Sequence, residues 1–295
     1  MFQILLKKYL FVFFTSFSGC IFINWLISTQ VNLKIDEDYL DLWFPILVCC
    51  FVTYFILRPI VKKMHYKERA ADFLLWFIIP FTIYIPIAFS QKWFKNISFK
   101  MILIDKPSDL YHFPNERFFK IKSFAVMPED YFVVKERHSS GKNGTTLDVS
   151  NYYITPVYDD TSKEITEKFA TVGYGVKFYT SMHNGFFDKK INESIIKDFN
   201  QKSSDDYKKY EFYKVDYFEK IENNNDAEYF SESIQHHNNF DKSANCLIIV
   251  NRSGTLKGLF DKGKEMFLYS TLICLSIGLL ALFLVNLFSD KKSNS

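Results

Sequence analysis

Four stretches of the chain, residues 9–28, 43–61, 71–90 and 266–288, are apolar and almost free of charge. A helix needs about 20 mostly apolar residues to cross about 30 Å of hydrocarbon. Each stretch is close to that length, so each is read as a transmembrane helix. The remainder of the 295 residues is rich in Lys, Asp, Glu, Asn, Ser and Tyr. A mean hydropathy of -0.05 therefore averages two unlike populations.

The first stretch follows Lys7-Lys8, as the core of a signal peptide would. Signal cores run about 7–15 residues and end at a small-residue cleavage site. Here the apolar run continues through Ile21, Phe22, Ile23, Trp25, Leu26 and Ile27, which favours an uncleaved anchor. The second stretch ends at Arg58-Pro59, with Lys62-Lys63 following. The third carries Pro80 and Pro86, so a kinked helix is expected, with Thr82 and Ser90 as local partners for the freed backbone groups. The fourth contains Ser270, Ser276, Gly278 and Ala281, small residues that let helix backbones approach closely.

The short loops carry unequal charge. Residues 30–42 hold Lys34 against Asp36, Glu37, Asp38 and Asp41. Basic residues cluster at Lys7-Lys8, at Arg58, Lys62, Lys63, Lys67 and Arg69, and at Lys291-Lys292. If all four stretches cross, the basic places share one side, and basic loops face the cytoplasm. Both termini are then cytoplasmic in the cell inner membrane. The domain between the third and fourth helices is then extracytoplasmic. Trp25, Trp43 and Trp93 fall near the outer ends of their helices, where an aromatic belt belongs. The expected division is 1–94 with three helices, 95–264 as the outer domain, and 265–295 as the fourth helix and tail.

Residues 95–264 read as an α+β domain. Alternating or apolar runs predict strands near 98–105, 118–127, 131–135, 152–157, 172–179, 211–218 and 246–250. Asn143-Gly144 is a hairpin signal. Residues 189–207, with Ile191, Ile195, Ile196 and Phe199, and residues 226–236, with Ala227, Phe230 and Ile234, predict two amphipathic helices. An antiparallel or mixed sheet with two packed helices follows. Residues 256–264 are read as a connection into the last membrane helix. Of the many aromatics, Tyr152, Tyr207 and Tyr210 are expected to be exposed.

Chemistry-bearing residues are sparse. Cys246 is the only cysteine outside the apolar stretches, so a disulfide framework is excluded for the domain. Glu228, Glu232 and His236, spaced i, i+4 and i+8, share a helix face and are the candidate divalent-metal ligands. A solvated face with a His near the helix C-terminus accounts for the same spacing. Ser139-Ser140 beside His138 suggests a nucleophile, but the segment also reads as a hairpin tip. Gly173-Tyr-Gly175 lacks the third glycine of a dinucleotide loop and instead marks a bulge or a close backbone approach. No catalytic residue or cofactor is assigned. Ionisable groups are nearly absent from the apolar stretches, which argues against ion translocation. The domain lacks the basic footprint of a nucleic-acid binder.

Gly175-Val-Lys-Phe-Tyr179, the helix around Glu193–Phe199, Tyr210–Glu219 and Asn224-Asn-Asp226-Ala-Glu-Tyr229 together resemble a soluble module attached to rhomboid-family membrane proteins of some Bacteroidetes. The likeness covers residues 170–250. It implies an attached domain and no protease activity, because the rhomboid Gly-x-Ser-Gly serine and membrane His are missing from the apolar stretches.

The expected function is that of a non-enzymatic integral membrane protein whose outer domain binds a protein or envelope component. The partners are the lipid bilayer and a protein, with no nucleic acid. The alternatives are a membrane-anchored metal-dependent hydrolase acting through that domain and an envelope immunity or defence protein.

Overall fold

A computed structural model describes residues 2–27, 39–62, 73–141, 145–159, 169–183, 189–222 and 224–287. The chain divides into two compact units, residues 1–99 with 256–295, and residues 100–255. The Asn143-Gly144 turn, most of the acidic loop and the Lys291-Lys292 tail lie outside the described residues.

The first unit is helical. Helix α1 spans Phe2–Trp25. A second helical run begins with a π-helical segment at Tyr39–Trp43 and continues as α2 (Phe44–Val52). A second π segment, Thr53–Leu57, leads into α3 (Arg58–Lys62). A third run has a π segment at Leu74–Ile78 followed by α4 (Ile79–Ile97). The last helix of this unit spans Leu256–Leu287. Among the described residues, three helices are long and apolar enough to cross a membrane: Phe2–Trp25, Tyr39–Ile60 and Leu256–Leu287.

The wide turn at Leu74–Ile78 has a cause in the sequence. Pro80 has no N–H, and its ring would strike the carbonyl four residues back, that of Trp76. A π segment opens the ladder at this point. The Thr82 and Ser90 hydroxyls donate to the carbonyls of Ile79 and Ile87, both at 2.8 Å. Those are three residues back, so these hydroxyls do not serve the carbonyls opposite the prolines, those of Trp76 and Thr82. The segment 256–264, expected as a connection, is the beginning of the last helix itself. Its Lys257, Lys262 and Lys264 are helix formers, and the apolar run only begins after them.

The core of this unit gathers Leu5, Tyr9 and Val12 of α1, Leu57, Ile79, Ile83 and Ile87 of the middle runs, and Ala281, Leu282 and Val285 of the last helix. Gly278 faces α1, where a Cβ would collide with the Tyr9 hydroxyl. Asn24 near the end of α1 donates to Asp41 at 2.7 Å, which ties the first helix to the start of the second run.

The second unit is a three-layer α/β/α domain. Its strands among the described residues are β1 (Met101–Ile104), β2 (Phe118–Ile121), β3 (Ala125–Val126), β4 (Phe132–Ser140), β5 (Thr146–Tyr158), β6 (Val172–His183), β7 (Tyr217–Ile221) and β8 (Leu247–Arg252). The sheet order is β1-β2-β7-β8-β6-β5-β3, with β4 also pairing β5. It is mixed: β1/β2 and β6/β8 are parallel, and the other pairs are antiparallel.

Two helices cover opposite faces. Helix α5 (Lys189–Lys208) buries Asn192, Ile196, Ser203 and Tyr207, a stripe at four- and seven-residue steps. Ile195 lies off that stripe and is exposed. The stripe meets the face carrying Tyr153, Val157, Val172, Tyr174, Phe218 and Ile249. Helix α6 (Asn225–His236) is capped by Asn224, whose side chain accepts from the Ala227 N–H at 2.7 Å. Its Ala227, Phe230 and Ile234 pack on the other face, against Tyr152, Ile154, Ile221 and Ile248. The strand expected at 211–218 lies further on, at Tyr217–Ile221. Residues 211–215 form turns, with Lys214 N–H donating to the Glu211 carbonyl at 3.0 Å.

Gly173 and Gly175 sit in β6 without any bulge, since the pairing with β5 is continuous from Val157↔Val172 to Thr146↔His183. They allow the close approach that their spacing suggested. A Cβ on Gly175 would lie 2.8 Å from the Phe230 ring, and one on Gly173 would lie 2.7 Å from Ile154 Cδ1.

A candidate binding surface

The sequence-predicted ligands Glu228, Glu232 and His236 all lie exposed on α6. They do not converge. The His236 ring stacks on Phe132, with centroids 5.7 Å apart and planes 22° apart. Among the described residues, no group of three or more His, Cys, Asp and Glu side chains lies close enough to hold a metal ion. The neighbouring His237 is the buried one. Its Nε2 lies 3.1 Å from Asp130 Oδ1, and its Nδ1 accepts from the Asn239 N–H at 3.1 Å.

His138, Ser139 and Ser140 belong to β4, and the tip begins at Gly141, whose φ of +78° is left-handed. Alternation along the strand places His138 and Ser140 on one face and Ser139 on the other. His138 is in register with Asp148 of β5. Ser140 and Tyr179 donate to Asp148 at 2.6 and 2.7 Å. Hydrogen bonds from Ser140, Tyr179 and Ser181 hold this carboxyl below its ordinary range. The Ser140 hydroxyl is thus directed at a carboxylate acceptor.

Burial overturns the expected exposure of the tyrosines. Tyr152 and Tyr207 are buried, and Tyr210 is half-buried. Tyr207 stacks on Tyr153 at 4.5 Å and 15°. Tyr152 lies beneath α6, and its hydroxyl donates to Asp226 at 3.0 Å. Lys177 pairs with the same Asp226 oxygen at 2.8 Å, over the Tyr152 ring. These rings join sheet to helix and are not a contact surface.

Tyr213 is exposed, as are Tyr111, Phe169 and Tyr179, and it belongs to a groove that pattern reading missed. The groove is a cavity of about 490 Å³ at the β1/β2 end of the sheet. Leu103, Lys120, Phe124, Tyr213, Val215 and Asp216 line it. Tyr213 stacks on Phe124 at 5.3 Å and 29°, and its hydroxyl accepts from the Val126 N–H at 3.2 Å. Asp216 is held in place by the Gly254 N–H at 2.5 Å. Leu103 is 61% exposed and Tyr213 62%, so both present large apolar area to solvent. Among the described residues, strand β1 is the outermost strand on this side, with one neighbour, β2. The alternation around Leu103 was visible, but nothing local in the sequence marked β1 as an edge.

A separate ionic cluster lies in β7. Glu219 is nearly buried between two guanidiniums, with Arg117 Nε at 2.6 Å and Arg252 Nε at 2.5 Å. Burial pushes this carboxyl up, but the two arginines outweigh burial and hold it below its ordinary range. Lys220, on the opposite side of the strand, donates to the Pro114 carbonyl at 2.5 Å and pairs with Glu222 at 3.1 Å. Both sets are internally satisfied, which marks them as structural.

No protein-family model, no curated protein and no solved structure matches the chain.

Proposed function

We propose that this is a four-span inner-membrane protein whose 95–264 domain is extracytoplasmic and binds an extended segment of a protein partner, without catalysis. The observation that carries this reading is the groove beside the open β1 edge. A sheet edge offers unpaired backbone groups to an added strand, and flanking pockets select alternate side chains. The Leu103 and Tyr213 side chains supply the apolar contact, and Lys120 and Asp216 supply polar contacts at its margin. Aromatic anchors ringed by polar groups are characteristic of protein recognition surfaces.

The third span in this reading, added to the three long apolar helices, is the run comprising Leu74–Ile78 and Ile79–Ile97. The acidic first loop and the basic second loop support termini on the cytoplasmic side.

Site-specific photo-cross-linking in native membranes tests the binding role. A photoreactive residue at Leu103 is expected to give a defined adduct that Tyr213→Asp abolishes. The same probe at Lys135, on the opposite edge strand β4, is expected to give none. Equal labelling from Leu103 and Lys135 refutes the proposal.

A further inference from the structure

The helical unit contains a second cavity, of about 640 Å³, between α2 with its following π segment and the Trp76–Pro80 stretch. Its walls include Leu47, Phe51, Tyr54, Phe55, Trp76 and Pro80, and carbon dominates them. Leu47, Phe51 and Phe55 are each more than half exposed. A surface this apolar belongs in hydrocarbon, and its size suits one flexible chain.

A cation lies against two of the rings that line the cavity. The Arg58 guanidinium lies 4.6 Å from the Tyr54 ring centroid and 5.1 Å from that of Trp76. Both rings also line the cavity. Such contacts engage the flat face of a guanidinium and leave its edge N–H donors free for a planar or tetrahedral oxyanion. Among the described residues, no carboxylate pairs with Arg58. Arg58 is also two residues from the end of the apolar helix Tyr39–Ile60, the depth at which lipid phosphates lie.

We propose that this cavity is a binding site for one anionic phospholipid, with an acyl chain along Leu47, Phe51 and Phe55 and the phosphate on the Arg58 donors. The inference rests on the reading of this unit as membrane-embedded. Apolar walls alone accept any acyl chain, and Arg58 adds selectivity for a net negative headgroup. A single cation near a membrane surface favours an anionic lipid by roughly fivefold.

Native mass spectrometry of the full chain released from detergent tests this, with phosphatidylglycerol and phosphatidylcholine added at equal amounts. One-lipid adducts enriched roughly fivefold in phosphatidylglycerol are expected. Arg58→Gln is expected to remove the preference, and Arg58→Lys to restore part of it, because it keeps the charge and loses the bidentate fork. Leu47→Trp, which fills the cavity from an exposed position, is expected to reduce adducts of both lipids. Soluble glycerol phosphate is not expected to displace the lipid.

Equal adducts of the two lipids, or a preference that survives Arg58→Gln, overturns the proposal. Full displacement by glycerol phosphate overturns it too, since the site would then hold a free phosphate and no acyl chain. Carbonate washing of membranes separates the two levels. A chain that stays in the washed membrane but shows no preference refutes the lipid site alone, whereas a chain that washes off refutes the membrane reading.

Discussion

The Tyr9 hydroxyl lies 3.1 Å from Oγ1 of Thr82, and the pair sits against the backbone of Gly278. Three helices meet there, and the Tyr9 hydroxyl is the atom nearest to where a Gly278 Cβ would stand. Gly278→Ala is expected to lower the thermal midpoint of the detergent-solubilised chain, at a cost of about 1–3 kcal/mol from overpacking. Tyr9→Phe alone is expected to cost only about 0.6 kcal/mol, typical of one hydrogen bond between membrane helices. Combined with Gly278→Ala it is expected to recover part of the loss. Strictly additive losses would show that the two positions are not coupled.

How much of this was legible beforehand differs between the two units. Charge-free length suffices to find apolar helices, because a bilayer demands that every backbone group be satisfied within the segment. The small-residue character of Gly278 was visible, but not its partner, since Tyr9 is 269 positions away in the chain. In the domain, β6 and both helices followed from periodicity. Strand β7 was misplaced because Tyr210, Phe212 and Tyr213 are apolar enough to imitate a strand. They serve instead as rings packed around Tyr174 and Phe124. The exposure of Tyr152 and Tyr207 was misjudged for a related reason. A phenol ring is mainly apolar surface and buries readily against other rings, as Tyr207 does on Tyr153, and Tyr152 also keeps a partner for its hydroxyl at Asp226.

The glycines of β6 make an ordered pair of expectations. Gly175→Ala drives a methyl into the Phe230 ring, which is 1% exposed and has little freedom to retreat. Gly173→Ala meets Ile154 Cδ1 and Cγ1 at 2.7 and 2.9 Å; Ile154 is also buried, but its terminal methyl can change rotamer where a rigid ring cannot. The first is expected to cost about 2–3 kcal/mol and the second about 1 kcal/mol. Urea midpoints followed by circular dichroism check the order, and a larger loss at Gly173 would contradict it.

Glu219 makes stability depend on acid. Its folded pKa lies below its ordinary value of 4.5, so its contribution is complete above that pH. The contribution is lost as pH falls through the lower folded value. The wild-type urea midpoint is expected to fall on acidification below about pH 4.5, where carboxylates ordinarily titrate. Glu219→Gln is expected to be destabilised at pH 7 by about 3 kcal/mol, because the nearly buried ion pairing of this carboxylate with Arg117 and Arg252 is removed. The variant is expected to show a flatter acid dependence. Arg252 is half exposed, so Arg252→Ala is expected to cost about 1 kcal/mol or less.

Orientation has a direct test. Reporter fusions after residue 140, in the domain, and after residue 292, in the tail, are expected to score on opposite sides, with the former extracytoplasmic. A cytoplasmic signal from the fusion after residue 140 contradicts the proposed placement.

The last helix, Leu256–Leu287, has 32 residues and so measures ~48 Å, well beyond the ~30 Å of hydrocarbon. Its surplus turns carry Lys257, Asp261, Lys262 and Lys264 and remain helical. The Lys257–Lys264 turns are therefore a rod with a rotational phase and not a slack cord. Each residue inserted within this helix turns the helical residues before it by about 100° and shifts them by about 1.5 Å, and an inserted heptad nearly returns them to their original azimuth.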